Sequence, residues 1–336
     1  MAGRLTSPHG GPYLIAEIGV NHDGARERAS EMVRAAAAAG FDAVKFQYWV
    51  PEELLAPCAP NASYQGEGDQ RDLLAPLLLP VPDLEELRTE CRELGVAFGV
   101  TPDGLLALEQ TSSLDADFVK IGSGDADNPW LTEAAARQPR PVVISTGMAT
   151  DEEVVAMAGR FVAHDDVTFL HCVSSYPTAL DSAGLDRMAA LRVLTGRPCG
   201  WSDHTIGAAA AVASVALGAT IIEKHVTYDP AARGPDHAMS LPLSDAPAWV
   251  TTIRAAAAGL VSGRPRPDEA ANRLLVRKAL YPVRELAPGH VLRAGDVVPL
   301  RPLLDGLPAG SRDVVLGRRL ARAVSPGAPL RPGDLE

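Results

Sequence analysis

Short apolar runs alternate with helix-like segments along the first 225 residues of the chain. Each run has five or six residues, as buried strands do, and the segments between them are rich in alanine and leucine, as in ARERASEMVRAAAAAG (25–40). This alternation predicts strands separated by helices. The eight predicted strands are YLIAEI (13–18), DAVKF (42–46), VAFGV (96–100), DFVKI (117–121), PVVIS (141–145), VTFLH (167–171), PCGWS (198–202) and ATIIEK (219–224).

Eight strand-helix alternations predict an α/β fold, a closed (β/α)8 TIM barrel over residues 1–260. A doubly wound open sheet is the main alternative. That fold would more naturally show a GxGxxG turn after the first strand, and IGVNHDG at this place is not one. We therefore expect the barrel.

The pattern changes after the barrel. Residues 261–273 are polar and hold Pro265 and Pro267, which is typical of a linker. Residues 274–336 hold short β-like pieces separated by turns, which predicts a small, mainly-β second domain. Because about 60 residues make a marginal core, we expect this domain to dock on the barrel or on a partner subunit.

Charge and composition limit the classes of partner. The chain has 336 residues and a formal net charge of −11, which argues against a nucleic-acid or anionic-membrane partner. We find no apolar run of the roughly 18 residues that span a bilayer, and no signal-like N-terminal segment, so the sequence predicts a cytoplasmic protein. Four cysteines without a CxxC pair are expected to be reduced and mostly buried.

Lysine is rare among the basic residues. Of 31 basic residues only four are lysine, and Lys45, Lys120 and Lys224 lie inside predicted strands. An ammonium group fits a crowded anion pocket that excludes the wider guanidinium fork of arginine. These lysines are therefore candidate ligands of a phosphate or carboxylate, although chance survival in an arginine-rich composition is the alternative.

Polar side chains collect where the predicted strands end. In TIM barrels the C-terminal strand ends form the active site. An ordinary structural barrel would not place three lysines, several histidines and several carboxylates there. The candidates include Glu17, Lys45, Gln47, Thr101, Lys120, Ser123, Asp125, Ser174, Tyr176, Ser202, His204, Glu223, Lys224, His225 and Asp236.

Eight motifs occur in an order that resembles the sialic acid synthase family. They are IAEIGVNHDG, AVKFQ, VKIGSGD, ISTGM, LHCVSSYPT, GWSDHT, GATIIEKHVT and GPDHAMS, and they span the barrel. The tail, from RKALYPVREL to GRRLARAVSPG, resembles the antifreeze-like (SAF) domain of that family. The resemblance implies a TIM barrel with a C-terminal SAF domain.

The resemblance also implies a phosphoenolpyruvate site and a metal site. Two histidines, His204 and His225, match the family's metal ligands, and imidazole with oxygen ligands suits Mn²⁺, with Mg²⁺ or Co²⁺ as substitutes. Two ammonium groups would offset the phosphate and carboxylate charges of phosphoenolpyruvate. The implied phosphoenolpyruvate ligands are Lys45, Thr101, Lys120, Ser123, Ser174 and Ser202.

Further residues map to the acceptor and to the reacting water. The resemblance implies that Gln47, Asp125, Tyr176 and Asp236 contact the acceptor sugar. Glu17 would orient or deprotonate a water molecule, or would instead accept from a lysine across the barrel. Arg301 is the candidate that the SAF domain contributes to the partner's site in a domain-swapped homodimer, with a plain surface arginine as the alternative.

Departures from the family pattern concern the acceptor. Asp125 is shorter than the usual glutamate, Ser174 stands where asparagine is usual, and TPDG replaces an aromatic-containing TPF segment. The implied reaction is the metal-dependent condensation of phosphoenolpyruvate with the open-chain aldehyde of an N-acyl hexosamine, N-acetylmannosamine or another sugar. Its products would be a nonulosonic 2-keto acid and phosphate.

Two other functions stay open at the sequence level. A class I aldolase would form a Schiff base between pyruvate and Lys45 or Lys120. A catalytically silent sugar-binding or assembly protein on the same scaffold is the other alternative. The intact Lys45, Lys120, His204 and His225 argue against a silent scaffold.

Overall fold

The computed structural model describes residues 5–56, 59–61, 68–260 and 267–336. The chain divides into two compact units, Met1–Val261 and Ser262–Glu336. Three cysteines, Cys91, Cys172 and Cys199, are buried and free, whereas Cys58 lies outside the described residues. The described part holds no helix that is long and apolar enough to cross a membrane. The cytoplasmic location stays a prediction.

Eight parallel strands form the closed barrel that the alternating pattern predicted. Each strand pairs with the next, and the eighth pairs with the first. A two-residue strand, β9 (Leu241–Pro242), adds to β8 outside the ring. The barrel strands are β1 (Tyr13–Gly19), β2 (Ala43–Trp49), β3 (Ala97–Asp103), β4 (Phe118–Ile121), β5 (Val142–Ser145), β6 (Val167–His171), β7 (Cys199–Asp203) and β8 (Ile221–Thr227).

Helices connect the strands of the first unit. Several ends carry ordinary stop and start signals: Gly40 ends the first helix in the left-handed region, and Thr150 forms a capping box with Glu153. The helices are α1 (Arg26–Ala39), α2 (Pro51–Leu54), α3 (Gln70–Leu74), α4 (Val81–Leu94), α5 (Leu105–Thr111), α6 (Pro129–Ala136), α7 (Asp151–Arg160), α8 (Arg187–Thr195), α9 (Ala209–Ala216) and α10 (Ala246–Gly259).

The alternation of side chains along each strand positions the site. On β1, Ile15 belongs to a small apolar cluster that includes Phe118, Val143 and Leu170 from other strands. Two residues further along the same face, Glu17 reaches the polar cavity at the C-terminal ends of the strands. The barrel interior is therefore filled by apolar side chains, and polar side chains follow them toward the C-terminal ends of the strands.

The second unit contains a helix, short strands and many turns. Its elements are α11 (Pro267–Val276), β10 (Ala279–Pro282), β11 (Val297–Leu300) and α12 (Arg312–Val315). The range 261–273, interpreted from its prolines as a linker, is helical from residue 267. Proline at the helix start and acidic residues in the first turn favour this helix. Residues 261–266 of that range lie outside the described residues.

Two halves of the second unit repeat each other. The segment RELAPGHVLRAGD matches RAVSPGAPLRPGD, and each aspartate binds the arginine that opens its half, Arg284 to Asp296 and Arg322 to Asp334. Between the halves, Leu286 N donates to Val324 O at 2.9 Å and Val324 N donates to Leu286 O at 3.0 Å. This reciprocal pairing relates the halves by a local two-fold axis.

Replacement of Gly200 by alanine should destabilise the barrel. A Cβ at this position on β7 would lie 2.3 Å from the backbone oxygen of Ile221 on β8, and overpacking of this kind costs about 1–3 kcal/mol. Chemical denaturation of Gly200→Ala should show this loss in the free energy of unfolding. The matched control is Gly159→Ala in α7, where a Cβ meets no atom of the described residues within 4 Å and should stabilise the protein by about 0.5–1 kcal/mol. Equal stabilities of the two variants would contradict the packing argument.

Candidate active site

One cavity of about 570 Å³ opens at the C-terminal ends of the barrel strands. It brings together eleven of the residues for which the sequence predicted a role. They are Glu17, Lys45, Gln47, Thr101, Lys120, Ser123, Ser174, Tyr176, Ser202, His204 and His225. Their gathering follows from the strand ends that carry them, but their individual roles stay predictions.

The floor of the cavity is a network of two lysines and two glutamates. Lys45 Nζ lies 2.5 Å from Glu17 Oε2 and 3.9 Å from Glu223 Oε2, and Lys120 Nζ lies 3.8 Å from Glu223 Oε1. All four side chains are at most 4% exposed. Both alternatives raised for Glu17 are therefore geometrically open, because it pairs with a lysine and also faces the cavity.

Hydroxyl groups complete the contacts of this floor. Lys45 Nζ donates to Thr101 Oγ1 at 2.6 Å and Lys120 Nζ donates to Ser145 Oγ at 2.6 Å, while Ser202 Oγ donates to Glu223 Oε1 at 2.7 Å. These short bonds fix both ammonium groups and the carboxylate between them. The floor therefore holds both ammonium groups at fixed places, each with a hydroxyl group and a glutamate beside it.

Two further hydroxyl groups, of Ser123 and Ser174, lie close to the backbone of Gly147. A Cβ at Gly147 would lie 2.5 Å from Ser174 Oγ and 2.8 Å from Ser123 Oγ. Ser123 Oγ also accepts the backbone N–H of Gly147 at 3.0 Å. Glycine at this position therefore lets both hydroxyl groups approach the backbone closely.

Burial separates the pKa values of the two glutamates. Burial raises the pKa of Glu17 to about 7, although the Lys45 ammonium opposes this shift. Burial would also raise the pKa of Glu223, but the ammonium groups of Lys120 and Lys45 hold it below its ordinary value. Glu223 is therefore the permanent counter-ion, and Glu17 is a carboxyl group able to exchange a proton near neutral pH.

Two histidines, His204 and His225, lie next to each other in the lining of the same cavity. The ring centroids of His204 and His225 lie 5.5 Å apart. Nδ1 of His204 lies 2.8 Å from the carbonyl oxygen of Val173, which can only accept, so Nδ1 carries the proton and Nε2 has a free lone pair. Nδ1 of His225 is buried, has no hydrogen-bond partner among the residues that the structure describes, and lies 3.7 Å from Asp236 Oδ2.

This pair of imidazoles has the chemistry of a metal-binding site. Burial lowers the pKa of both His204 and His225, which keeps the rings neutral as ligation requires. A carbonyl that fixes the tautomer of a ligating histidine is the usual outer contact in metal sites. Within the described residues no group of three or more His, Cys, Asp or Glu side chains is close enough to hold a metal. Water or substrate oxygens would have to complete the shell.

The predicted acceptor contacts fall in three places. Gln47 donates to Glu17 Oε1 at 3.1 Å, and the ring centroids of Tyr176 and His204 lie 4.4 Å apart, so Gln47 borders the lysine–glutamate network and Tyr176 borders the histidines. Asp236 lies beside His225 and is not among the residues that line the cavity, and burial raises its pKa to about 6. Asp125 accepts from Asn128 at 2.8 Å near the rim.

Arg301 belongs to the C-terminal unit. It follows β11 directly, and its side chain is exposed. Its assignment to a partner's site stays a prediction.

Sequence reasoning gave no role to several residues that line the cavity. Asp103 is the most distinctive: it follows Thr101 on the same face of β3, and burial together with the neighbouring Asp125 raises its pKa to about 7. A period of two from Thr101 would have identified it. The others are Gln70, Ser145, Met148, Cys172 and Glu223.

The pH dependence of stability should report the proton on Glu17. In the folded protein its pKa is about 7, whereas the ordinary value is 4.5. The contribution of this group to stability is therefore fully present below pH 4.5 and is lost as the pH rises through 7. Denaturation at pH 5, 6, 7 and 8 should give a flatter curve for Glu17→Gln than for the wild type. An exposed match, Glu27→Gln, should leave the wild-type slope unchanged, and parallel curves for Glu17→Gln would contradict the shift.

Comparison with known proteins shows the family. Residues 32–264 match the NeuB family and residues 277–336 match the SAF domain. The N,N'-diacetyllegionaminic acid synthase of Legionella pneumophila is 33% identical over 332 residues, 95% of this chain and 93% of that protein. The N-acetylneuraminate-9-phosphate synthase of Drosophila melanogaster is 36% identical over 251 residues, 72% of this chain and 67% of that protein.

A solved structure agrees with this relationship. The N-acetylneuraminic acid synthetase of Leptospira borgpetersenii, crystallised with citrate, superposes with a TM-score of 0.70 at 29% identity, over 79% of this chain and 90% of that one. The resemblance, the TIM barrel and the C-terminal SAF domain that the sequence predicted are thereby confirmed. The chain belongs to the NeuB family.

Proposed function

We propose that this protein condenses phosphoenolpyruvate with the open-chain aldehyde of an amino sugar, forming a nonulosonic acid and phosphate. Members of the family named above are synthases of legionaminic and neuraminic acid derivatives, which supports condensation chemistry. The observation that carries the proposal is a single cavity with two buried ammonium groups on its floor and two neutral, buried imidazoles on its wall.

The lysine floor suits phosphoenolpyruvate. In the described structure Lys45 and Lys120 are balanced by Glu17 and Glu223. A bound phosphate and carboxylate would be offset best when Glu17 is protonated, which its pKa of about 7 permits near neutral pH. The hydroxyls of Ser123 and Ser174, converging at Gly147, would then donate to the anionic oxygens.

The histidine wall suits a divalent cation, and His204, through its free Nε2, and His225 would hold it. When bound, such a cation, by preference Mn²⁺, supplies Lewis-acid polarisation of the acceptor aldehyde. Tyr176 and Gln47 border this place and would orient the acceptor. The nearby Asp236 would accept from acceptor hydroxyls.

The reaction follows from the two halves of the cavity. C3 of phosphoenolpyruvate attacks the aldehyde carbon, water adds at C2, and cleavage of the C–O bond expels phosphate and leaves the 2-keto acid. Glu17 faces the cavity with a pKa near neutral, so it would give its proton to the aldehyde oxygen as C3 attacks and, once ionised, would accept the proton of the attacking water. Lys120 and Lys45 would hold the phosphoryl and carboxyl groups in the attack geometry.

The rim favours an acceptor rich in hydrogen-bond donors. The Asp103 carboxyl group has no hydrogen bond within the described ranges; it lines the cavity two residues after Thr101, near Asp125. A carboxyl group at this place accepts from hydroxyl or amide N–H groups. We therefore infer a polar acceptor substituent on the β3 and β4 side of the cavity.

Phosphate release tests the function. Wild-type protein with phosphoenolpyruvate and Mn²⁺ should release phosphate only with an accepted sugar, and a panel of N-acetylmannosamine, mannose and 2,4-diacetamido-6-deoxy hexoses identifies it. Lys120→Arg should reduce kcat/KM for phosphoenolpyruvate by ~100-fold, because the wider fork displaces the phosphate from its position. The measurement is initial rate against phosphoenolpyruvate concentration, with product masses by mass spectrometry.

Controls separate this function from its alternatives. The fourth lysine lies outside the barrel, so Lys278→Arg should keep wild-type kinetics. Exhaustive chelation should abolish turnover and Mn²⁺ should restore it. Trapping of a covalent adduct by borohydride would indicate an aldolase that acts through Lys45 or Lys120, and no phosphate release with any sugar would favour a silent scaffold.

We also propose that the active assembly is a domain-swapped homodimer in which Arg301 completes the partner's site. The exposed Arg301 makes no hydrogen bond or ion pair within the described residues of its own chain, as expected for a group that acts elsewhere. Mixing Arg301→Ala with Lys120→Ala subunits should restore about a quarter of the wild-type activity after random exchange. Absence of recovery despite verified exchange, or full activity of Arg301→Ala alone, would contradict the shared site.

A further inference from the structure

One buried lysine has no place in the cavity. Lys224 is 1% exposed, and sequence reasoning grouped it with Lys45 and Lys120 as a candidate anion ligand. It is not among the residues that line the cavity. A chain that uses arginine for nearly all its cations has therefore kept a lysine, buried and away from the site, for another reason.

The strand period explains its position. Glu223 and His225 line the cavity, so Lys224 between them points to the opposite face of β8, toward the helices. Its register partner on β7 is Asp203, which lies between the cavity residues Ser202 and His204 and is 0% exposed. The two side chains thus meet behind the barrel wall.

The contacts of this pair converge on one turn. Lys224 Nζ lies 3.2 Å from Asp203 Oδ2 and donates to the carbonyl oxygen of Thr205. Asp203 Oδ1 accepts the backbone N–H of Thr205 at 2.9 Å and its hydroxyl at 2.7 Å. The turn 203–205 is therefore held from both ends by a single ion pair.

The residue in the middle of that turn is His204. Its own carbonyl accepts the N–H of Thr178 at 2.9 Å, and its Nδ1 donates to Val173 O at 2.8 Å. The first contact fixes the position of the His204 backbone relative to Thr178. The second fixes the orientation of the His204 ring relative to Val173. Both conditions depend on the turn that Lys224 and Asp203 hold.

We propose that the Lys224–Asp203 pair is a positioning device that sets the imidazole of His204 from behind the barrel wall. This inference rests on the proposed function in so far as His204 binds a cation. Lysine suits the place because a compact ammonium reaches both Asp203 and the Thr205 carbonyl in a closed space, where a guanidinium fork would push the strands apart. Lys224 and Asp203 act only through His204.

The chain offers a matched control at the opposite end of the barrel. Asp42 lies just before β2, and its carboxylate accepts one backbone N–H, from Leu14 at 2.7 Å, and one hydroxyl, from Ser7 at 2.8 Å. Its cation is Arg254, at 2.6 Å. The Arg254–Asp42 pair thus has the same kinds of contact as Lys224–Asp203, but it lies far from the C-terminal strand ends.

The experiment compares Lys224→Met with Arg254→Met in the full-length protein. Both variants should lower Tm, because each leaves a buried carboxylate without its cation. Calorimetric titration with Mn²⁺ alone should show ~10–100-fold weaker binding to Lys224→Met, the range known for lost outer contacts of a metal ligand, and less than a twofold change for Arg254→Met. Hydrogen exchange measured without metal should be faster in the peptide that contains residues 203–205 only in Lys224→Met.

A second pair of variants keeps the test decisive if Lys224→Met does not fold. Asp203→Asn keeps the oxygen that accepts from Thr205 and loses only the charge, and Asp42→Asn is the matched control. We expect weaker Mn²⁺ binding and faster exchange at 203–205 for Asp203→Asn only. Wild-type Mn²⁺ affinity in Lys224→Met or Asp203→Asn, with exchange at 203–205 no faster than in the controls, would overturn the positioning role. If the wild type itself binds no Mn²⁺, the metal in the proposed function fails, and the exchange contrast alone decides this inference.

Discussion

The closed barrel buries charge at its centre, and the rest of the site depends on how that charge is balanced. Glu17, Lys45, Lys120 and Glu223 are nearly inaccessible to water, and each ion finds its partner on another strand. Loss of one partner from such a group typically costs about 3–5 kcal/mol, because the remaining ion stays buried without its counter-charge. The buried network is therefore stable only if the barrel strands keep the register that pairs each ion with its partner.

The same network gives the cavity an asymmetry. Glu223 lies within ion-pair distance of both ammonium groups and stays charged, whereas Glu17 has one close lysine and titrates near neutral pH. The net charge of the cavity floor therefore changes by one when Glu17 gains or loses a proton. An anionic substrate that arrives with several charges meets a site that can lose one negative charge of its own without moving a side chain.

Strand ends were predictable from the sequence because their apolar runs are short and bounded. The lysines, histidines and glutamates that follow those runs had to gather at one end of the barrel, and Lys45, Lys120, His204 and His225 do line one cavity. The side of a strand to which a residue points was harder to predict than the place of the residue along the strand. In IIEKH the sequence presents three ionisable residues in a row, and only the pairing of β8 with β7 shows that Lys224 turns away from its neighbours. The helix that begins at Pro267 was missed because proline marks both linkers and helix starts.

The repeat within the SAF domain gives the domain an internal two-fold symmetry. Leu286 and Val324 occupy equivalent places in the two halves and exchange their backbone bonds with each other, as residues do across the axis of a symmetric dimer. The aspartate of each half accepts a backbone N–H from an arginine three residues before it. Arg293 N donates to Asp296, and Arg331 N donates to Asp334. Position 290 breaks the symmetry, since His290 binds Asp296 while alanine stands at the matching place. Two copies of one structural unit within a single chain thus pair as the subunits of a symmetric dimer do, and the difference at position 290 gives the first copy a contact that the second lacks.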